Sequence, residues 1–560
     1  MKVVIIGAVA GGASAAARAR RLDESAEIVL IERGADPSFA NCGMPYYIGG
    51  EIESREKLIV TSAGMLHDRY RLDVRVRQEA LRIDRQAKTV RVRRLENGAE
   101  YDESYDKLIL SPGAAPIRPE LPGIDHPKVY TLRNLDDADL LHAATMGAKR
   151  AVIVGGGFIG VEMAENLVRR GVETTLIERN DQILTPWDAE MVAPAAAALR
   201  SAGVTLKLGA EAEAFEPQDD GGVTVALKSG EQLSADFVVM CIGVRPENAL
   251  AKAAGLAIGE RGGIRVDETM RTDDPDIYAV GDAVETFDSV TGKPTQIPLA
   301  GPANRQGRIA ADNCFGRESR YRGTQGTAIV GACGVTAAMT GLSEKACRRL
   351  GVAFEKVYVH PASNAGYYPG AEGMTLKLVF DPENGRVLGA QGVGGKGVDK
   401  RIDVLAMALQ AGMTVYDLEE SELCYAPQYG SAKDPVNMLG FVAAGLLRGD
   451  HPVEHAHRLL DCELGDSFVL DVRSPGEHAA GAVPGATNIN IDELRERLGE
   501  LPKDRRIVAY CKVGMRGYLA TRLLRQHGFD AVNLSGGFTK YERFVAARAE
   551  ATPKMAPSGR

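Results

Sequence analysis

The stretch Ser38-Phe39-Ala40-Asn41-Cys42-Gly43-Met44-Pro45-Tyr46 carries one cysteine in a loop shaped by Gly43 and Pro45. A thiol in a shaped loop, rather than in a core strand, is placed for chemistry. Just upstream, Val3-Val4-Ile5-Ile6 reads as a strand entering a glycine turn at Gly7, and a helix from Ala13 to Leu22 follows. A second strand, Ile28-Val29-Leu30-Ile31, ends in Glu32. An acid about 20 residues beyond such a turn suits a ribose hydroxyl, and the helix N-terminus suits a pyrophosphate. The spacing thus places Cys42 where a flavin ring should lie, with electrons passing between a dinucleotide and sulfur. No second cysteine lies a few residues away. Cys42 must take its disulfide partner from a substrate or cycle through a sulfenic acid.

A second reactive cysteine is suggested near the C-terminal end. The strand Ile507-Val508-Ala509-Tyr510 delivers Cys511 to the loop Cys511-Lys512-Val513-Gly514-Met515-Arg516-Gly517, with a helix after it. Backbone N–H groups and a helix N-terminus around a sulfur favour thiolate or persulfide over thiol. Phosphatase loops from Cys to Arg are one residue longer and usually preceded by His. The shorter loop, with Tyr510 before it, fits sulfur better than phosphate. Upstream, Ser467-Phe468-Val469-Leu470-Asp471-Val472-Arg473 reads as a buried strand and Glu477-His478-Ala479-Ala480-Gly481-Ala482-Val483-Pro484-Gly485-Ala486 as a turn-rich connection.

The elements that position these thiols are dinucleotide-binding units. Val152-Ile153-Val154-Gly155-Gly156-Gly157-Phe158-Ile159-Gly160 fits G-x-G-x-x-G fully, and the next strand ends at Ile177-Glu178. The context of strand, helix and terminal acid gives this motif its weight. The first turn fits less well, because Val9 stands where the middle glycine would be. Two units imply two dinucleotides, a held flavin and an exchanging nicotinamide. Further on, Ile277-Tyr278-Ala279-Val280-Gly281-Asp282 is a strand entering Gly-Asp, and Asp282 suits the flavin's ribityl chain. The expected class is α/β: two Rossmann-like dinucleotide-binding domains, an α+β dimerisation domain and a small C-terminal α/β domain. The boundaries predicted are 1–121 with 244–322 for a discontinuous flavin domain, 122–243 for the nicotinamide domain, 323–446 for the dimerisation domain, 447–457 for a linker and 458–550 for the last domain.

Composition excludes several classes. A chain of 560 residues should hold about three to five domains. Its formal net charge is -8 with basic residues scattered, which argues against nucleic acid as a partner. No apolar run approaches the roughly 18 residues that span a bilayer, so no membrane is expected. Met1-Lys2 runs straight into the first strand, leaving no room for a signal peptide. The eight cysteines form no CxxC and no paired framework, which favours a reducing cytoplasm. Cys241, Cys314, Cys333, Cys347 and Cys462 read as structural. His451, His455 and His457 lack a cysteine or carboxylate framework, so no metal is expected.

With both halves in view, the chain resembles the coenzyme A-disulfide reductases that carry a C-terminal rhodanese domain, some of which are NADH-dependent persulfide or polysulfide reductases. The marks are S-F-x-x-C-G-x-P-Y at residues 38–46, Gly7-Ala8-Val9-Ala10-Gly11-Gly12, Ala303-Asn304-Arg305-Gln306-Gly307-Arg308, Tyr425-Ala426-Pro427-Gln428-Tyr429 and Lys433-Asp434-Pro435-Val436-Asn437. The family tolerates Val9 and often has a second proline at Gln428. The resemblance implies the pyridine nucleotide-disulfide oxidoreductase fold and a homodimer. Glutathione-type reductases look dissimilar, since their second cysteine and C-terminal His-Glu pair are missing here. In their place the resemblance implies two tyrosines from the partner subunit, at the positions of Tyr367 and Tyr425.

The resemblance also implies the cofactor set. FAD is expected at Gly7, Val9, Ala10, Gly11, Glu32, Arg33, Asn41, Ser111, Pro112, Gly113, Asp282, Pro298, Leu299 and Ala300. NADH is expected at Gly155, Gly157, Phe158, Ile159, Gly160, Glu178, Arg179 and Gly243. Glu178 should accept from ribose hydroxyls, while Arg179 beside it leaves NADPH open. Coenzyme A is expected against Ser38, Phe39, Asn41 and Asn304, with Arg18 and Arg21 on the first helix and Arg305 of the partner subunit as candidates for its phosphates. Stacking by the flavin and local N–H groups should lower the pKa of Cys42. Its thiolate would then attack CoA disulfide, CoA persulfide or a polysulfide, while Cys511, on a tethered domain, carries sulfane sulfur among Lys512, Val513, Gly514, Met515 and Arg516. Two other readings compete: an NADH oxidase or peroxidase cycling Cys42 as a sulfenic acid, and a non-redox sulfur carrier built around Cys511.

Overall fold

The computed structural model describes residues 1–551. The chain divides into two compact units, one made of residues 1–177 and 211–326, the other of residues 178–210 with everything from 327 onward.

The first unit is built on two parallel sheets. In the first sheet the strands Ile277–Ala279, Lys107–Leu110, Lys2–Ile6, Glu27–Ile31 and Asp73–Arg75 lie side by side. The segments VVII and IVLI are apolar without alternation because both faces of this sheet are covered. Helices Ala10–Leu22 and Ala300–Cys314 cover one face, burying Ala15, Ala16, Ala19, Ala310 and Ala311 with Val3, Ile5, Ile28 and Leu30. The sheet takes its edge strand from residues 277–279, so the chain leaves this domain and returns to it. In the second sheet Arg150–Val154 pairs in parallel with Glu173–Glu178 on one side and Phe237–Met240 on the other. Helix Phe158–Arg169 buries Gly160, Val161, Met163, Ala164, Asn166 and Leu167, the spacing of a single helical face.

The second unit holds a five-stranded antiparallel sheet in the order Ala328–Ala332, Val335–Gly341, Val387–Gly394, Met374–Phe380, Glu355–Val359. It also holds a five-stranded parallel sheet in the order Val453–Glu454, Ala531–Leu534, Ile507–Tyr510, Phe468–Asp471, Thr487–Asn488. Between them lies a buried charge cluster. The carboxylates of Asp188, Glu190 and Glu344 gather closely enough to hold a cation. The Lys377 ammonium takes that place, at 2.7 Å from Asp188, 2.9 Å from Glu190 and 2.7 Å from Glu344. Lys540, on the C-terminal helix Gly537–Ala551, adds a bond of 3.1 Å to Glu190.

One expectation needs correction here. Residues 447–457 do not form a free tether. Helix Pro435–Leu447 ends there, and Val453 and Glu454 pair with Asn533 and Leu534 inside the parallel sheet. A two-residue strand has no periodicity to betray it. The histidines of this segment are also structural: His451 Nε2 pairs with Asn533 at 2.8 Å, and His455 Nε2 with Glu355 at 3.1 Å.

Burial holds these histidines neutral. It pushes His451 down to about 4, helped by Arg522, and His457 down to about 4, helped by Lys356. His360 is pushed down to about 3 by burial and by Arg543 and Lys540. His455 is lowered by burial, with Glu355 opposing. The unfolded chain, with histidines near 6.5, therefore takes up protons first as the pH falls. Stability is full above that value and is lost progressively below it. The melting temperature of the whole chain should drop between about pH 7 and about pH 5, and drop less steeply for His457→Gln. A melting temperature flat across that window would contradict this account.

Candidate active site

The Cys42 loop is held from several sides. Ser38 sits in the left-handed region at φ 54°, with its N–H bonded to Ala8 O at 2.9 Å and its carbonyl accepting Val60 N–H at 3.0 Å. A strained serine kept by bonds on both sides marks a loop whose shape is enforced. Phe39 bridges to Ile59, and Ala40 N–H bonds to Leu58 O at 2.8 Å. Residues Asn41–Gly43 then form one tight turn before helix Met44–Ile48, which has proline in its first turn. Cys42 and Asn41 are exposed.

The protein's own groups push the Cys42 thiol up. Burial of its flanks is the largest cause raising its pKa, followed by the charges of Glu162 and Asp282. Neither carboxylate is near Cys42 in sequence, so their contribution could not be read from the loop. Glu162 is itself pushed up to about 7 by burial, and Tyr46 OH lies 3.5 Å from it. Sequence reasoning missed Glu162. The available signal was an acid inside the apolar helical run Phe158-Ile159-Gly160-Val161-Glu162-Met163-Ala164.

The dinucleotide turns have the shape their cofactors need. Gly7, at φ 94°, donates to Ile31 O at 2.8 Å, and Gly155, at φ 112°, to Ile177 O at 2.8 Å. A Cβ on Gly12 would lie 1.8 Å from Gly7 O, and one on Gly160 1.9 Å from Gly155 O, so each helix rests directly on its turn. Helix Ala10–Leu22 starts after Val9 and helix Phe158–Arg169 after Gly157, both without a side-chain cap. Uncapped first-turn N–H groups at a glycine turn fit a pyrophosphate. Val9 sits at the N-cap, outside the close contact, which is why a side chain is accommodated there.

Of the remaining residues expected to hold flavin, Glu32 and Ser111 reach this turn. Glu32 accepts Ala8 N–H at 2.9 Å and Gly34 N–H at 2.7 Å. Arg33 pairs with Glu247 at 3.2 Å. Ser111 N–H bonds to Ile6 O, and Pro112 O accepts from Arg133 at 3.1 Å, ahead of Gly113. Asp282 is raised by burial and lowered in part by Arg133. Pro298 and Leu299 lead into helix Ala300–Cys314, again without a side-chain cap. On the nicotinamide side, Gly243 O accepts Ile117 N–H at 3.0 Å. Glu178 is buried and accepts Asn180 N–H at 2.9 Å, whereas Arg179 is exposed.

The candidate coenzyme A residues divide into two groups. Arg21 and Arg305 are exposed. Arg18, expected to be a phosphate partner, is instead committed to Asp312 through contacts of 2.8 and 2.7 Å. Its position on helix Ala10–Leu22 faces Ala300–Cys314, which sequence alone did not reveal. Asn304 accepts from Ser14 Oγ at 2.7 Å.

In the second unit, Tyr367 OH and Tyr425 OH lie 3.0 Å apart, and both side chains are exposed. Their loops are joined by Ala365 N–H to Gly430 O at 2.9 Å and by Asn364 Nδ2 to Pro427 O at 3.3 Å. Arg401 is buried between Ser363 O at 3.0 Å and the Asp434 carboxylate at 3.0 Å. Asp434 also caps helix Pro435–Leu447 with Asn437.

Cys511 is buried at the end of strand Ile507–Tyr510, and Gly514 N–H donates to its Sγ at 3.1 Å. Tyr510 OH donates to Asp471 at 2.9 Å and accepts Val483 N–H at 3.1 Å. Arg473 and His478 share that same carboxylate. Arg516 makes a two-pronged bond to Glu477, both contacts at 2.7 Å, and Lys512 pairs with Glu542 at 3.3 Å. Val513 and Met515 are exposed at the mouth of the loop.

Residues 1–307 match the pyridine nucleotide-disulphide oxidoreductases, and residues 327–434 the dimerisation domain of the same group. The chain belongs to the pyridine nucleotide-disulphide oxidoreductase family. Residues 453–544 match the rhodanese-like domain, beginning with the short strand inside the supposed linker. The chain is 34% identical over 448 residues to a coenzyme A disulfide reductase of Staphylococcus haemolyticus, covering 80% of this chain and 100% of that protein. The structure of the reduced CoADR-RHD of Bacillus anthracis superposes with a TM-score of 0.95 at 46% identity over 98% of each chain. That of an NAD-dependent persulfide reductase from A. fulgidus gives 0.90 at 38% identity over 97% of this chain and all of the other.

The Glu162 charge makes a direct prediction. Glu162→Gln removes an anion that disfavours the Cys42 thiolate. The pH profile of Cys42 alkylation should therefore move to lower pH, read by mass spectrometry of the labelled peptide. A shift to higher pH would show that Glu162 acts through its hydrogen bonding instead.

Proposed function

We propose that this chain is an FAD-dependent NADH oxidoreductase that reduces CoA disulfide and CoA persulfide at Cys42, working as a homodimer. Its rhodanese domain carries sulfane sulfur on Cys511. The observation that carries the reading is the exposed Tyr367–Tyr425 pair, with hydroxyls 3.0 Å apart. Two phenols held together on the dimerisation domain suit the leaving sulfur of a substrate disulfide, and an oxidase or a pure sulfur carrier has no use for them. The glycine turns and their uncapped helices fit two dinucleotides, and FAD, when bound, supplies the two-electron link between NADH and the Cys42 disulfide.

The chain's own residues do the rest. The Cys42 thiolate attacks one sulfur of CoA–S–S–CoA. A Cys42–S–S–CoA bond forms, the substrate S–S bond breaks and CoA thiolate leaves. Tyr367 and Tyr425 of the partner subunit hydrogen-bond that leaving sulfur. Ser38, Phe39 and Asn304 line the approach for coenzyme A, and Arg21 and Arg305 meet its phosphates. Glu178 receives the ribose hydroxyls of NADH. In the rhodanese domain the Cys511 thiolate attacks the sulfane sulfur of R–S–SH, giving Cys511–S–SH and R–S⁻. The eight free thiols and the absence, among the described residues, of any helix long and apolar enough to cross a membrane support a cytoplasmic setting.

Two variants separate the thiols. Cys42→Ser should abolish NADH-dependent reduction of CoA disulfide while leaving sulfur transfer from glutathione persulfide to a thiol intact. Cys511→Ser should do the reverse. Steady-state kinetics of both reactions in both variants test the assignment, and a single variant that abolishes both would break it.

Coenzyme choice offers a second test. Glu178→Ala should raise the apparent KM for NADH about tenfold or more, through loss of a charged hydrogen-bond acceptor. The KM for NADPH should change less. Equal changes for both coenzymes would remove Glu178 from ribose recognition.

A further inference from the structure

Behind the Cys511 loop lies a residue of the dimerisation domain. His360, one residue beyond strand Glu355–Val359, places Nε2 3.1 Å from Gly536 O and Nδ1 2.8 Å from Thr375 Oγ1. Arg543 Nη1 donates to the same Thr375 oxygen at 2.7 Å. The directions of these bonds are fixed. A carbonyl oxygen can only accept, so the proton of His360 sits on Nε2. Nδ1 is then an acceptor, and the Thr375 hydroxyl donates to it.

The other face of the Gly536-Gly537 step touches the reactive loop. Phe538 N–H donates to Cys511 O at 2.8 Å, and Thr539 N–H to Lys512 O at 2.9 Å. A Cβ on Gly537 would lie 2.4 Å from Cys511 O. A Cβ on Gly536 would lie 2.8 Å from Lys540 Cβ and 3.2 Å from His360 Nε2. Both glycines have positive φ, 74° and 59°. Two glycines are therefore a thin spacer with His360 on one side and the Cys511 backbone on the other. Little play is left between them.

We propose that His360 is a positioning residue for sulfur transfer: it braces the Gly536-Gly537 step so that Cys511 and the Gly514 N–H that donates to its sulfur keep the geometry that receives sulfane sulfur. The sulfurtransferase site is thus completed from outside its own domain. The neutral state that burial imposes on His360 suits this role, because the brace needs one donor and one acceptor nitrogen at every working pH. The inference rests on Cys511 being the sulfur carrier.

The test uses the full-length, FAD-loaded protein with glutathione persulfide as donor and dithiothreitol as acceptor. His360→Ala should lower kcat for sulfur transfer about tenfold. NADH-dependent reduction of CoA disulfide should stay at the wild-type rate. The pH profile of Cys511 alkylation, measured in a Cys42→Ser background, should shift. His360→Gln, which keeps a donor towards Gly536 O and an acceptor for Thr375, should restore both readouts. Thr375→Val, which removes the hydroxyl that donates to Nδ1 and holds the ring in place, should show a partial loss and serves if His360→Ala does not fold. Wild-type sulfur transfer in His360→Ala would overturn the inference. So would a parallel loss of both activities that His360→Gln does not restore. Cys511→Ser is the separate control: if it still transfers sulfur, the assignment of Cys511 fails, whatever His360 does.

Discussion

The Lys377 ammonium is removed from water and surrounded by three carboxylates. Stripping a charge of its hydration costs several kcal/mol, and only close, well-directed partners offset that cost. The three carboxylates come from the starts of two helices. Asp188 and Glu190 stand at the start of helix Ala189–Ser201, and Glu344 opens helix Glu344–Leu350. Asp188 also accepts the N–H groups of Glu344 and Lys345, both at 3.1 Å, and a bond of 2.6 Å from Gln391. Lys356 joins Glu344 from the neighbouring strand. Losing the ammonium would leave three carboxylates facing one another, and an uncompensated buried charge destabilises by about 3–5 kcal/mol. Helices and sheet in this unit therefore have one compatible arrangement.

The cluster reaches the rhodanese domain through Lys540, whose ammonium meets Glu190 at 3.1 Å and the Tyr358 ring at 3.9 Å. Burial pushes this lysine down to about 7. Its helix is the one that begins at Gly537, directly against the Cys511 backbone. Together with the His360 and His455 contacts, this makes the domain a docked part of its unit. An account of sulfur transfer by a domain swinging on a linker has no free linker to use. The acid triad also shows why ligand-type residues do not define a metal centre. Their geometry suits a cation, and the cation is a side chain of the same protein.

The parts of the site that were legible in the sequence are those set by local sterics. The turns at Gly7 and Gly155 need positive φ and close helix approach, and glycine spacing reports that directly. The loop around Cys511 is similar, since Gly514 both opens a helix and donates to the sulfur. The tyrosine pair was legible only through family resemblance, because nothing in residues 364–370 reveals that residues 425–430 lie beside them. What failed was long-range electrostatics. Burial is the largest cause raising the Cys42 pKa, and Glu162 and Asp282, more than a hundred residues beyond it, push it the same way. The partner of Arg18, Asp312, likewise comes from a helix far along the chain.

The tyrosine pair has a limit that follows from its own acidity. The hydrogen bond shared with Tyr425 raises the pKa of Tyr367 above the usual phenol value of 10.0. An ordinary thiol titrates near ~8.5. Moving a proton from such a phenol to a departing thiolate would run uphill, so the pair is ill suited to acting as a full proton donor. It is well suited to stabilising the thiolate by hydrogen bonds. One hydroxyl donates to its neighbour, and that neighbour's own proton points outward, polarised by the first. On the proposed function, the leaving sulfur would depart as a hydrogen-bonded thiolate and take its proton from water afterwards. On this argument Tyr425→Phe should weaken the step without abolishing it, because Tyr367 keeps a hydroxyl to donate. Loss of both hydroxyls should slow S–S cleavage most when the leaving thiol is least acidic, which a series of disulfides graded by thiol pKa would reveal.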